Sequence, residues 1–347
     1  MLLPRPPLLL PLLKRPQGPL LTNNKHLRLY YRLHHSYHPM ANLTVELPSN
    51  SSSSPLVNDT DTDSNQFILQ QPRGAYTGMR TLDRTSIVAF SSHVKRLTTS
   101  LSLMTFPANG AESADITDQL APFRDTDSLT HSLKDLLRIG LQTFRQRYPE
   151  YEAKVSVLIA YDFKINTPRC WAHFSPLHAP PPDAYVHVVA EEKARATPVV
   201  KDSQWVRDRA GLERAKPTEI NEVVLTDADG HIYEGMASNF FAVCANPTRL
   251  VCAPLDHILL GTVMKIVMTV CEQKKIPIEW VFPKLSDARA GTWEGCFLTS
   301  TSRLLLPIEA IHVKDGSPVT FTKHSETIEM LRQEVRKAIY QDATQIL

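Results

Sequence analysis

Glu234 stands inside HIYEGMASNFFAV (residues 231–243), with Ile232 and Tyr233 before it and Phe240, Phe241, Ala242 and Val243 soon after. The flanks read as two short buried strands, where an ionised carboxylate is costly unless something positive or hydrogen-bonding meets it. A neighbouring arginine, backbone N–H groups or a ligand cation would each serve, and spacing alone favours a structural ion pair. Lys201, in RATPVVKDSQW, follows two valines and precedes an aromatic residue. Partial desolvation there would lower its ammonium pKa and leave a nucleophilic amine, although an isolated lysine in such a setting is usually a solvated strand end.

Three further features suit an anion. Gly261 in ILLGTVMKIV opens a helix, so the N–H groups of Thr262 and Val263 point out of its N-terminus. Thr299, Ser300 and Thr301 end a strand with hydroxyl donors to spare, and Arg96 in HVKRL offers a charged fork. Each signal is weak alone, because helix starts and hydroxyl-rich strand ends are common. Together, an amine for an aldehyde, a carboxylate for a ring nitrogen and a donor set for a phosphate are the needs of pyridoxal 5'-phosphate. Glu234 against the pyridine nitrogen would keep it protonated, so the ring can accept the electrons of a substrate carbanion. The pyridinium would then be the positive partner of Glu234.

Other chemistries lack their signatures. No GxGxxG follows a strand, and the chain holds no GK(S/T) phosphate loop, GxSxG elbow or HExxH pair. HHSYH at 34–38 falls in an N-terminal stretch expected to be unstructured, so no metal site is predicted. Net charge is +2 over 347 residues, which points to neither nucleic acid nor an acidic surface. The five cysteines form no CxxC pair and read as reduced, buried thiols. No apolar run reaches the length needed to cross a bilayer.

The elements that must position these residues follow from periodicity. TSIVAF, VSVLIAY and RCWAHF read as strands, as do YVHVVA, EVVLTD, HIYEG, NFFAV and CFLTST further on. DADG at 227–230 is a turn that joins two of them in a hairpin. Val94, Leu97, Leu101 and Met104 share one helical face, Leu129, Leu133, Leu136 and Leu137 a second, and Val263, Ile266, Val267 and Val270 a third. Further helices begin near Trp205 and Ser325. Three prolines at 180–182 make a stiff spacer between a small α/β domain over 66–179 and a larger one over 183–347. The serine- and aspartate-rich stretch 47–66 reads as a flexible lead-in, and residues 1–65 as a disordered extension. Acid-free and basic up to Glu46, that extension has the composition of a mitochondrial or plastid transit segment, though its prolines interrupt any helix; Met40 is an alternative start, and without transit the protein would be cytoplasmic. The whole is an α/β or α+β protein of two domains.

At this point the sequence resembles the class IV aminotransferases, the fold-type IV enzymes that include branched-chain and D-amino acid aminotransferases and aminodeoxychorismate lyase. LTDADGHIYEGMASNFFAV carries the strongest likeness, supported in order by GAYTGMRT, HVKRL, LLGTVMKIV and EGCFLTSTSRLLLPI, from about Gly74 to Ile311. The resemblance implies that Lys201 forms the internal aldimine and that Glu234 holds the ring nitrogen. Arg96, the N–H groups of Thr262 and Val263, and Thr301 would hold the phosphate. Tyr76 and Arg80 would face the substrate, with Ser300 and Ser302 presenting donors to its carboxylate. It further implies a pseudo-barrel of strands in the large domain, a homodimer, and transfer of an amino group between an amino acid and a 2-oxo acid. One departure stands out. Several relatives place a tyrosine shortly after the lysine to meet the ring's phenolic oxygen, but this chain reads DSQWVRDR, and Trp205 would pack beside the ring instead. A lyase of the aminodeoxychorismate type and a non-catalytic cofactor-binding relative would use the same residues.

Overall fold

Alternating and helical patterns of apolar side chains build two sheets with separate cores. A computed structural model describes residues 41–47, 55–107, 111–178, 180–181, 183–314, 316–321 and 325–347. HHSYH, Met40 and the basic leader up to it lie outside the described residues, as does Pro182 of the spacer. The first half of the chain runs β1 (Asn42–Glu46), β2 (Leu56–Thr60), α1 (Ser64–Gln70), β3 (Gly74–Leu82), β4 (Ser86–Val88), α2 (Phe90–Leu103), α3 (Ala114–Arg124), α4 (Thr126–Arg147), β5 (Ala153–Asp162) and β6 (Thr167–Pro176). The second half begins with β7 (Val186–Glu192), α5 (Gln204–Asp208), α6 (Ala210–Ala215), β8 (Glu222–Thr226), β9 (Ile232–Gly235), β10 (Asn239–Cys244) and β11 (Arg249–Cys252). It ends with α7 (Thr262–Lys274), β12 (Ile278–Trp280), α8 (Leu285–Arg289), β13 (Trp293–Ser300), β14 (Leu304–His312), β15 (Val319–Thr320), α9 (Glu326–Gln341) and β16 (Ala343–Gln345).

The first sheet is antiparallel throughout, in the order β16-β4-β3-β5-β6-β1-β2. Leu97 and Leu101 of α2 and Leu133, Leu136, Leu137 and Leu141 of α4 pack on Val155, Val157 and Ile159 of β5. Fully burying each such side chain is worth about 1.5–3 kcal/mol, so this face is the main anchor of the half.

The second sheet is mixed, in the order β12-β11-β10-β13-β14-β7-β8-β9 with β15 on β14. A bridge from His231 to Lys284 joins the segment after β12 to the start of β9, and the sheet curls into a half-barrel. Period-two alternation then divides its residues. Phe240, Ala242 and Cys244 of β10 fill the inside with Val188, Cys296 and Leu306. Phe241 and Val243 point outward and are covered by Val263 and Val267 of α7 and Leu331 and Val335 of α9. All five cysteines are free and buried, as expected.

Several expectations need correction. The extension expected to be disordered supplies β1 and, from within its serine-rich lead-in, β2 at the edge of the first sheet, and Leu43 and Val45 of β1 are fully buried. Asp63, within that stretch, caps α1: its side chain accepts from the N–H groups of Asn65 and Gln66, both at 2.8 Å, and Gln66 returns a bond to the Asp63 N–H. TSIVAF is strand only to Val88, because Ala89 at φ +54° turns the chain into α2. α3 was not anticipated, and β16 returns the C-terminus to β4 of the first sheet. Among the described residues no helix is long and apolar enough to cross a membrane.

Candidate active site

Glu234 sits at the end of β9, 3% exposed, just before a tight reversal into β10. Gly235 donates its N–H to Ser238 C=O at 2.8 Å, and a Cβ on Gly235 would lie 2.2 Å from Ser238 Oγ, so glycine lets the two residues approach closely. Asn239, first residue of β10, donates through Nδ2 to Leu259 C=O at 2.7 Å and to Glu234 Oε2 at 3.4 Å. The Leu259 N–H donates to the same carboxylate oxygen at 3.1 Å. Gly261 then brings the chain over Asn239, and a Cβ there would fall 2.1 Å from Asn239 Oδ1. The two glycines thus seat the acid beside the start of α7.

The other carboxylate oxygen corrects an expectation. Arg195 donates to Glu234 Oε1 at 2.9 Å, with both side chains about 95% withdrawn from solvent (5% and 4% exposed). A protein cation, not only a ligand, therefore meets this acid. Arg195 also donates to Val200 C=O at 2.9 Å and lies 5.2 Å over the Trp205 ring. Burial pushes the Glu234 carboxyl up, while Arg195 and the Leu259 N–H pull it back. Trp205 does not line the cleft as expected. It is packed behind Arg195, its indole N–H donating to Met236 C=O at 2.8 Å.

Lys201 arrives from the opposite wall. Its segment runs beside the start of β3: Ala75 bridges Asp202, Tyr76 N–H donates to Lys201 C=O at 3.0 Å, and Ser203 N–H donates to Gly74 C=O at 2.9 Å. Arg73 grips Asp202 at 2.6 Å, and Lys201 N–H donates to Ser100 Oγ of α2 at 3.1 Å. The amine is desolvated, which lowers it to about 8; Tyr76 opposes the shift, and Arg96, Arg195 and Arg209 add to it. The partial desolvation read from its valine flank holds.

The anion end is built from α2, α7 and the β13–β14 turn. Helix α7 has no side-chain cap at Gly261, which leaves its first N–H groups to a ligand or water. Thr262 and Thr301 hydroxyls lie 3.1 Å apart beside it. Arg96 hydrogen-bonds Thr77 Oγ1 and donates to His93 Nδ1 at 3.0 Å, while its Nε has no partner. Burial lowers Arg96 to about 10, and no carboxylate offsets that cost. His93, accepting at Nδ1, is held neutral by burial and by the cations Arg96, Lys265 and Lys201. A buried cation with neutral partners only, an uncapped helix and an orphaned Thr299 hydroxyl fit a phosphate.

These groups line one cleft with about 900 Å³ of empty volume, counting its open mouth. Tyr76, Arg96, Lys201, Glu234, Thr262, Val263, Ser300, Thr301 and Ser302 are all brought together there. Arg80 is not; it is buried beside the cleft and reaches Ser302 C=O at 3.5 Å. Sequence reasoning missed Arg195, Arg209, Lys154 and Asn239, which share the lining. Arg209 donates to Met236 C=O at 2.9 Å, and Lys154 is lowered chiefly by burial.

The family model for amino-transferase class IV matches residues 74–311. Among solved structures, a putative branched-chain amino acid aminotransferase from Thermotoga maritima is 21% identical and aligns with a TM-score of 0.59, over 86% of this chain and 96% of that one. A branched-chain aminotransferase from Thermoproteus uzoniensis with norvaline aligns at 0.63 with 14% identity, over 88% of this chain and 100% of that one. A hypothetical aminotransferase from Mycobacterium tuberculosis in its PLP-bound form aligns at 0.61 with 16% identity, over 86% and 99%. Likeness at these identities speaks for the fold. No match was found among curated protein sequences.

Proposed function

The chain belongs to the class IV aminotransferases, and on that premise we propose that it moves an amino group between an amino acid and a 2-oxo acid with pyridoxal phosphate held in this cleft. The cofactor, when bound, supplies an aldehyde to take up the amino group and a ring to accept the electrons of the substrate Cα–H bond. Arg96, the N–H groups of Thr262 and Val263 and the Thr301 hydroxyl would hold its phosphate. A carboxylate offers about four lone-pair sites, and three donors already approach Glu234, so one site remains for the ring nitrogen. Arg195 pulls the buried carboxyl back toward its ionised form, which favours it as an acceptor.

The observation that carries the reading is Lys201: an amine lowered to about 8, with Glu234 as the one carboxylate lining its cleft. Such an amine can capture an aldehyde and, once the amino group of an incoming substrate has displaced it from that carbon, would be free to take a proton from the substrate α-carbon and return it elsewhere. Tyr76, Ser300 and Ser302 line the substrate side, and Arg80 acts there through the Ser302 carbonyl. The test is a visible spectrum of the purified protein with pyridoxal phosphate, followed by a panel of amino acids. A band that bleaches with one donor, yields the matching 2-oxo acid and is missing in Lys201→Ala supports transamination. A band that no donor changes points to the lyase or the non-catalytic relative instead.

A further inference from the structure

We propose that Tyr76 donates the hydrogen bond to the phenolic oxygen of the pyridoxal phosphate that Lys201 holds, an inference that rests on the cofactor reading above. In pyridoxal phosphate the phenolic oxygen sits on the ring carbon next to the one that bears the aldehyde. Whichever amine holds the aldehyde therefore brings that oxygen among its own neighbours. Here the backbone fixes the neighbour. The Tyr76 N–H to Lys201 C=O bond and the adjoining Ala75–Asp202 bridge send both side chains from one ladder into one cleft. Lys201 Nζ lies 4.9 Å from the Tyr76 ring centroid, over the ring face. Phe67, Ile68, Leu158 and Val206 wedge the ring, which is 6% exposed. Trp205 offers no rival donor, because Met236 C=O already takes its indole N–H.

The charges around the phenol point the same way. Lys201, Arg209 and Arg195 face it, Arg96 is within range, Lys154 lines the same cleft from β5, and Glu234 is the one carboxylate in the lining. Burial pushes the phenol up, but Lys201, Arg209 and Arg195 outweigh it and bring it down to about 8. A phenol that acidic is a strong donor to an anionic oxygen.

Tyr76→Phe tests this in two ways. Without cofactor, the phenolate absorbance of the wild type should show one tyrosine ionising near 8 that is missing in the variant. With cofactor and no substrate, the variant should keep the visible band, but the pH at which that band interconverts should rise by about 1–2 pH units. Losing the donor leaves the phenolic oxygen more basic, so the adjoining nitrogen holds its proton to higher pH. A 3-fluorotyrosine at position 76 keeps the shape with a more acidic phenol, and should move the midpoint down; it serves even if Tyr76→Phe folds poorly. An intact band with an unmoved midpoint in both variants overturns the proposal and leaves Tyr76 as a wall of the substrate side. A wild type that forms no band sinks the cofactor reading and this proposal with it, and the wild-type spectrum alone tells the two failures apart.

Discussion

Arg195 and Arg96 line the same cleft, both desolvated, and their charges are met in opposite ways. Arg195 has Glu234 at 2.9 Å and an indole beneath it. Arg96 has a threonine hydroxyl and a neutral imidazole. Breaking a buried ion pair costs about 3–5 kcal/mol, because the survivor is left uncompensated. The first pair is thus part of what holds the fold together. Arg96 already bears the cost of a desolvated cation, and an arriving anion would relieve it. On the proposed reading, stability and ligand affinity would rest on different arginines.

Four experiments break or sharpen that division, in falling order of effect. Lys201, in the same cleft, should be the most sensitive position: Lys201→Ala should lower transamination by roughly 10⁴-fold, read as 2-oxo acid formed per enzyme. Next, Glu234→Ala should destabilise the cofactor-free protein by about 3–5 kcal/mol in urea unfolding, and pairing it with Arg195→Met should recover most of that loss. A loss below about 1 kcal/mol would mean that the pair is not structural and would collapse the comparison. Arg96→Met should do the reverse, leaving cofactor-free stability unchanged or improved while weakening pyridoxal phosphate binding about 10–100-fold in an equilibrium titration. Last comes pH. Lys201 is lowered to about 8, so its amine is protonated below that pH and free above it. The rate of cofactor capture should therefore rise about tenfold from pH 7 to pH 9 and level off beyond. A rise of about 100-fold over the same range, with no levelling off, would show that the amine is not desolvated in solution.

Much of the site was legible because its signals are local. Lys201 sits among valines, Glu234 in an apolar hairpin, and Gly261 before a clean helical stripe. Each needs only a few residues of context. Arg195 was harder, since it precedes α5 in a segment without regular periodicity and reaches Glu234 only by folding back across the chain. Lys154 reads as an ordinary strand residue until β5 is paired with β3, which places it opposite Arg80 and turns it to the cleft. β1 was hidden at the end of an acid-free, proline-rich leader and β2 by serine-rich composition, yet Asp63 and Gln66 bear the spacing of a capping box that marks ordered chain. β16 is too short to show a period at all.

Helix α2 carries both Arg96 and Ser100, and Ser100 anchors the backbone of Lys201 at 3.1 Å. Positions four apart on a helix are separated by about 6 Å along its axis. The helix is therefore a ruler laid between two grips, one for an acid group and one for the segment that bears the amine. A molecule with the aldehyde but no phosphate arm, or with a longer one, would engage one grip and miss the other.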